Sequence, residues 1–443
     1  MLLWALATVA FGWAVKSKVA GEDRSGHFGN LAVEVASFPD LVTDVLGQVA
    51  GYATGDYKDA ELRVEREANA DYSDFETLPE SAGIDVQGPL LKVHQGHVVP
   101  GWRMLAGTFT VDGHLENAIL LLSPELKIVK RWILEETPVD GVEPRPKYRK
   151  FVHGVQMLAD GSVIFTYDGS ISLQRIDSCG KRLWSTGGEF NHAVTLNEAR
   201  DAVWTFRGFT TIAEVSVDDG RVIRTIPVED IIAANPTTDI LEVRRLHDND
   251  LNVNSRNTQG KWLYDPFHLN DVEPLPSAIA DRFKDFAAGD LLISARSLNL
   301  LFVIDPDTLR IKWWRAGMTE RQHDPDWLPT GEILILNNRM SRDYSELVAI
   351  DPANYKRRVL FDGRKNGFYT RIRGKHELYP DGHQAISSPQ QGRAFEVDRD
   401  GNVALEVVNP KPGSDTQNYV ISEMQWFPLN ALDVENWQCP PAT

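Results

Sequence analysis

Five of the eleven histidines open segments that read alike. His153, His192, His268, His323 and His376 each precede a hydrophobic run that leads to an apolar-Asp pair: Ile176-Asp177, Val217-Asp218, Ile304-Asp305, Ile350-Asp351 and Val397-Asp398. Imidazole is nucleophilic when neutral, carries protons near neutral pH and ligates metals. Histidines gathered around one ligand therefore suit nucleophilic or acid–base chemistry, or a bound divalent ion. Arg296 discriminates between the two, because a guanidinium suits an oxyanion and repels a cation. A histidine in a repeated slot also serves as an ordinary structural residue, hydrogen-bonding to neighbouring segments. His153 and His376 are assigned that role.

Such a set needs a scaffold that returns distant positions to one place. From about Gly101 the sequence is a succession of short β-rich runs and turns, and these repeat. Asp160-Gly161, Thr330-Gly331 and Asp381-Gly382 mark hairpins between the first two runs of three units. A sixth unit lacks the leading histidine and runs from Gly101 through Ala118–Leu122 to Lys130-Arg131-Trp132. Units of 40 to 75 residues with about four strands each read as propeller blades, since one blade cannot bury both of its faces alone. The expected fold is all-β: a six-bladed β-propeller over residues 96–430, closed by a late strand Val420–Phe427 that pairs with the first unit. The innermost strand of each blade would line the central channel, and the five histidines would share one slot around it. Two stacked β-sandwiches explain the strand content but not the repeat.

Residues outside the repeat carry less information. Leu2–Val15 is apolar except for Thr8 and Gly12 and is followed by Lys16 and Lys18. As a helix it would reach roughly 21 Å, short of the roughly 30 Å hydrocarbon core. Residues 1–18 thus read as a signal-peptide segment, a short anchor, or a span that begins upstream, and the expectation adopted is a periplasmic or otherwise extracytoplasmic protein held at the membrane by this segment. Residues 19–95 read as a mixed N-terminal region, with a short amphipathic helix at Phe38–Val49 and a charge-dense, solvated stretch at Asp56–Asp74. Residues 431–443 form a tail. Cys179 and Cys439 cannot build a zinc ribbon or a disulfide framework. They either form one bridge in an oxidising compartment or remain two unrelated thiols. The net charge of −17 excludes nucleic-acid binding, since phosphates would be repelled and no basic run compensates.

Four motifs in order resemble those of bacterial PAPS-independent arylsulfotransferases: Asp265-Pro266-Phe267-His268-Leu269-Asn270, Leu292-Ile293-Ser294-Ala295-Arg296, Gln322-His323-Asp324, and Asp362 onward to Glu396-Val397-Asp398. The resemblance spans roughly residues 100–430 and implies a six-bladed propeller. It also implies transfer of a sulfuryl group from a phenolic sulfate ester to a phenolic acceptor by a ping-pong route, through a sulfated histidine and with no cofactor and no metal. Carried over by motif, His323 is the nucleophile, and His268 and Arg296 bind sulfuryl oxygens and assist proton movement. His192 is the remaining channel histidine, although Asn191 stands where many relatives have a second histidine. Asn270, Phe267, Trp327 and Tyr369 are the expected substrate-binding residues, with Phe368 a further aromatic nearby.

Such residues suit the reaction. A sulfuryl group spreads negative charge over its oxygens in a loose transition state, so preorganised arginine and histidine donors supply most of the stabilisation. A phenol, with a pKa of about 10, needs a base to attack and an acid to leave. Two rivals remain: a ligand-binding or scaffold propeller without transfer activity, and a metal-dependent lyase or hydrolase whose ion is held by the channel histidines.

Overall fold

The computed structural model describes residues 2–19, 62–136 (except 69, 82 and 95–97), 139, 150–243, 245–246, 261–262, 265–437 and 439. The chain divides into two compact units. In the first, the described part is one α-helix, Leu2–Val19, built from the N-terminal apolar run. Among the described residues no helix is long and apolar enough to cross a membrane. The expected helix at Phe38–Val49 lies outside the described residues.

The second unit is a six-bladed β-propeller. Blade I takes its inner strand from the end of the chain: Ile421–Phe427 pairs with Trp102–Val111, which continues into His114–Leu122 and Ile128–Ile133. The other blades are consecutive four-stranded antiparallel meanders. Their inner strands are Val152–Met157 in blade II, Phe190–Leu196 in III, Leu269–Pro274 in IV, His323–Trp327 in V and Lys375–Leu378 in VI. Neighbouring inner strands touch in cyclic order, the last returning to blade I.

Each middle strand is apolar on both faces because each face meets a different blade. In blade IV, Leu291, Ile293 and Ala295 pack toward blade III with Phe206 and Ile212, whereas Leu292 packs toward blade V with Ile335 and Val348. This is the period-two alternation of a strand, but both sides are buried, so its sequence reads as an unbroken hydrophobic run. Six such cores fill the six blade interfaces. Tryptophans on outer strands lock some of them. Trp184 Nε1 donates to the Val217 carbonyl at 2.8 Å and Trp313 Nε1 to that of Pro352 at 3.0 Å, in each case on the next blade.

Part of the region ahead of residue 96 joins the propeller directly. Leu90–Val93 pairs with Val403–Val408 as a fifth strand of blade VI, with Glu76–Thr77 outside it. Arg63–Glu65 lies in the charge-dense stretch expected to be solvated, yet it pairs with Gln417–Tyr419. Arg66 reinforces that pairing by donating to Asn418 Oδ1 at 3.1 Å and to the carbonyls of Ser414 and Gln417. Exposed strand edges carry unsatisfied backbone groups, and pairing meets that need even where side chains are polar. Cys179 and Cys439 are joined by a disulfide, which ties the tail to the hairpin of blade II.

Candidate active site

Every inner strand from II to V is irregular at its N-terminal end. Registers shift between Val152 and Val155, Asn191 and Thr195, Leu269 and Asp271, and His323 and Asp326. Gly154, His192, His268 and Asp324 have positive φ at or beside these shifts. A β-bulge redirects the side chain it carries, and here it turns imidazoles toward the channel. The His153 and His192 rings lie 4.2 Å apart, and those of His192 and His268 lie 4.8 Å apart. His153, His192, His323, Asn270 and Arg373 border one small enclosed pocket.

His323 is 4% exposed and held at both nitrogens. The Asn338 amide nitrogen donates to the carbonyls of Thr370 and Arg373, each at 2.7 Å, which leaves Asn338 Oδ1 to face His323 Nδ1 at 2.7 Å. Only an acceptor stands there, so Nδ1 carries the proton and Nε2 keeps its lone pair, accepting a hydrogen bond from the Arg373 backbone N–H at 3.2 Å. Burial first, then the neighbouring Arg296 charge, hold the His323 pKa well below the usual histidine value. His192 is depressed by burial and by His153 and His268, and His153 by burial and by Arg373 and His323.

His268 is oriented differently. Its backbone N–H donates to Asp265 Oδ1 at 3.0 Å, and its Nδ1 pairs with Asp265 Oδ2. Its remaining nitrogen is thus the one left for a ligand. Arg296 follows the strand Leu291–Ala295, and its backbone N–H donates to the His268 carbonyl at 3.0 Å. The Arg296 Nε is buried with no hydrogen-bond partner among the described residues. Burial, reinforced by Arg321, lowers its pKa to about 10, so it stays cationic at neutral pH. A half-buried guanidinium with an unpaired Nε, beside the imidazoles of His323 and His192, suits an oxyanion.

The structure therefore brings His192, His268, His323 and Arg296 together and adds His153 and Arg373. Asn270 borders the pocket. Its Nδ2 donates to the Gln322 carbonyl at 2.9 Å while Oδ1 has no partner among the described residues. The expected aromatic lining is not found at this pocket. Phe267 and Phe368 are fully buried in the III–IV and V–VI cores. Trp327 packs on Phe283 and Phe286 and donates to the Glu273 carbonyl. Tyr369 is half-buried on a loop, its hydroxyl 3.5 Å from the Met340 carbonyl. Aromatic rings at blade interfaces satisfy packing first.

The single shared slot also needs correcting. Leu158, Asn197, Leu328 and Tyr379 donate the equivalent hairpin bonds, and five residues before the first three stand His153, His192 and His323. Five before Tyr379 stands Gly374, so His376 is displaced two residues along its strand and lies at another level of the channel. The shorter interval from His376 to the Asp381 turn was the available signal. His153, set aside as structural, lies within the cluster. Arg373 and Asn338 carried no sequence signal, because both act through neighbours brought near only by the fold.

The sequence model for Arylsulfotransferase (ASST) matches residues 154–410, more than half of the chain. No curated protein matches significantly. Among solved structures, a Bacteroides caccae protein of unknown function is 14% identical, covering 73% of this chain and 98% of its own, with a TM-score of 0.46. Virginiamycin B lyase from Staphylococcus aureus is 10% identical, covering 63% and 84%, with a TM-score of 0.36.

Proposed function

The chain belongs to the arylsulfotransferase (ASST) family, and from that premise we propose that it moves a sulfuryl group from an aryl sulfate to a phenol through sulfated His323, without a nucleotide donor. The observation that carries this reading is the state of His323: Nδ1–H is fixed by Asn338, which leaves the lone pair on Nε2, held only by the Arg373 backbone N–H, at a pocket that His153, His192 and Arg373 also line. In the first half-reaction Nε2 gives up the hydrogen bond from the Arg373 N–H and attacks sulfur, the N–S bond forms, and the S–O bond to the aryl group breaks. The departing aryl oxygen takes a proton from His268, which enters this half-reaction as the Asp265-paired imidazolium and leaves it neutral. In the second half, neutral His268 accepts the proton of the acceptor phenol, whose oxygen attacks sulfur and releases His323. Asp265 stabilises the imidazolium formed at His268 in that step. Arg296, with His192 and His153, would hold the sulfuryl oxygens as their charge shifts.

A metal-centred lyase is the weaker reading, because the positive charges of Arg296 and Arg373 act on these same histidines and oppose a cation there. The Cys179–Cys439 disulfide supports an oxidising, extracytoplasmic compartment for the protein. The decisive experiment incubates the protein with 4-nitrophenyl sulfate and a panel of phenols. Expected are nucleotide-independent, acceptor-dependent release of nitrophenol, sulfate trapped on His323, and loss of both in His323→Ala. Transfer that survives His323→Ala would overturn the assignment, and no transfer to any phenol would leave a binding propeller.

A further inference from the structure

We propose that the channel carries a divalent metal site, separate from the upper histidine cluster, formed by Asp324 and Asp326 of blade V and His376 of blade VI. One ligand atom from each of the three lies within 4.8 Å of the others, close enough to share an ion. Acidic side chains meet in many proteins without a metal, so His376 is the discriminating observation. Its ring is fully buried, yet neither ring nitrogen makes a properly directed hydrogen bond. Nδ1 lies 3.2 Å from Asp326 Oδ2 and 4.0 Å from Asp324 Oδ2, so the imidazole stands beside both carboxylates without a directed hydrogen bond to either. Burying a polar ring without a directed partner is unfavourable, a deficit that a bound cation would remove.

The charge around the site points the same way. These residues border a cavity of about 590 Å³ that Glu273, Glu377 and Glu423 also line. Lys375 pairs with Asp271 at 2.8 Å and with Asp324. Among the described residues, Glu273, Glu377 and Glu423 have no ion-pair partner, and Asp326 has only His376. A cation entering from the cavity would meet this group of carboxyls beside the single cation Lys375, whereas Arg373 lines the upper pocket. Two carboxylates and one imidazole suit a first-row ion of the Mn²⁺ or Zn²⁺ class, with water completing the shell. Asp324 is adjacent to His323 and borders both the pocket and the cavity, so the ion would tie blades V and VI through the residue next to the nucleophile.

The test uses the full-length chain, stripped with chelator and titrated with Mn²⁺ or Zn²⁺ by calorimetry, with circular dichroism to verify the fold of each variant. The expected result is one ion per chain, a higher melting temperature with metal, and nitrogen coupling in the Mn²⁺ paramagnetic resonance spectrum. Asp326→Asn, nearly isosteric and at a partly exposed position, keeps the test available if His376→Ala does not fold. Either change should weaken binding at least about tenfold, and His376→Ala should also abolish the nitrogen coupling. His323→Ala should leave binding unchanged. Absence of saturable binding, or binding that persists undiminished in Asp326→Asn, would overturn the site. Loss of binding in His323→Ala with Asp326→Asn intact would instead place the ion at the upper histidines.

Discussion

The reactivity of His323 is set by a residue that never reaches the pocket. Asn338 is pinned by two carbonyls and so offers only its oxygen to Nδ1. Burial and Arg296 keep the imidazole neutral below the usual histidine pKa. A depressed pKa means that the nucleophile survives as pH falls, so the acid limb of kcat should lie below about 6.5, the ordinary histidine value. A limb at or above 6.5 in the wild-type pH–rate profile would contradict this. Asn338→Asp places a carboxylate on Nδ1, which favours the imidazolium and should move the limb to higher pH. Asn338→Ala should lower kcat by roughly 10- to 100-fold with little change in KM, as loss of an outer support does. A merely structural asparagine would reduce the amount of active enzyme without moving the limb.

Bulges and left-handed residues, rather than plain strands, place the ring at the scale of the element. Gly154 is the clearest case, with φ +116° and a would-be Cβ overlapping the His192 carbonyl oxygen. Gly154→Ala must therefore strain its backbone and push apart the inner strands of blades II and III, at a cost of about 1–3 kcal/mol. Urea unfolding would measure that loss, and the change should also lower transfer, because His153 and His192 flank the shifted backbone. Gly180→Ala is the matched control for strain without the clash, since Gly180 shares a positive φ but has nothing within 4 Å.

For the whole molecule, the issue is closure. Blade I is completed by Ile421–Phe427 from the far end of the chain, and just beyond it Cys439 is bonded to Cys179 across 260 residues. Trp437 packs its ring 5.9 Å from that of Trp132, also on blade I. A cross-link over so long a loop restricts the unfolded chain strongly, and removing a native bridge costs about 2–5 kcal/mol. Cys439→Ser should lower the melting temperature, and reducing agent should lower that of the wild type equally while leaving the variant unchanged. Equal melting temperatures in all cases would show that the bridge contributes nothing to closure.

Much of this architecture is legible in the amino-acid order. Hydrophobic period, hairpin turns and recurring apolar-Asp pairs are local signals, and they specify six blades, the late closing strand and the group His192, His268 and His323. Arg296 follows from its motif. The tertiary structure alone decided what a side chain meets once it leaves its strand. Gly374 rather than His376 stands five residues before Tyr379, so one histidine of the apparent ring sits among acidic residues instead. Phe267 and Trp327 turn into blade cores, while Arg373 and Asn338 close around His323 from loops of blades V and VI. Spacing along a strand determines depth in the channel, but bulges, left-handed residues and the neighbouring blade determine which way each side chain faces, and those depend on contacts far apart in the sequence.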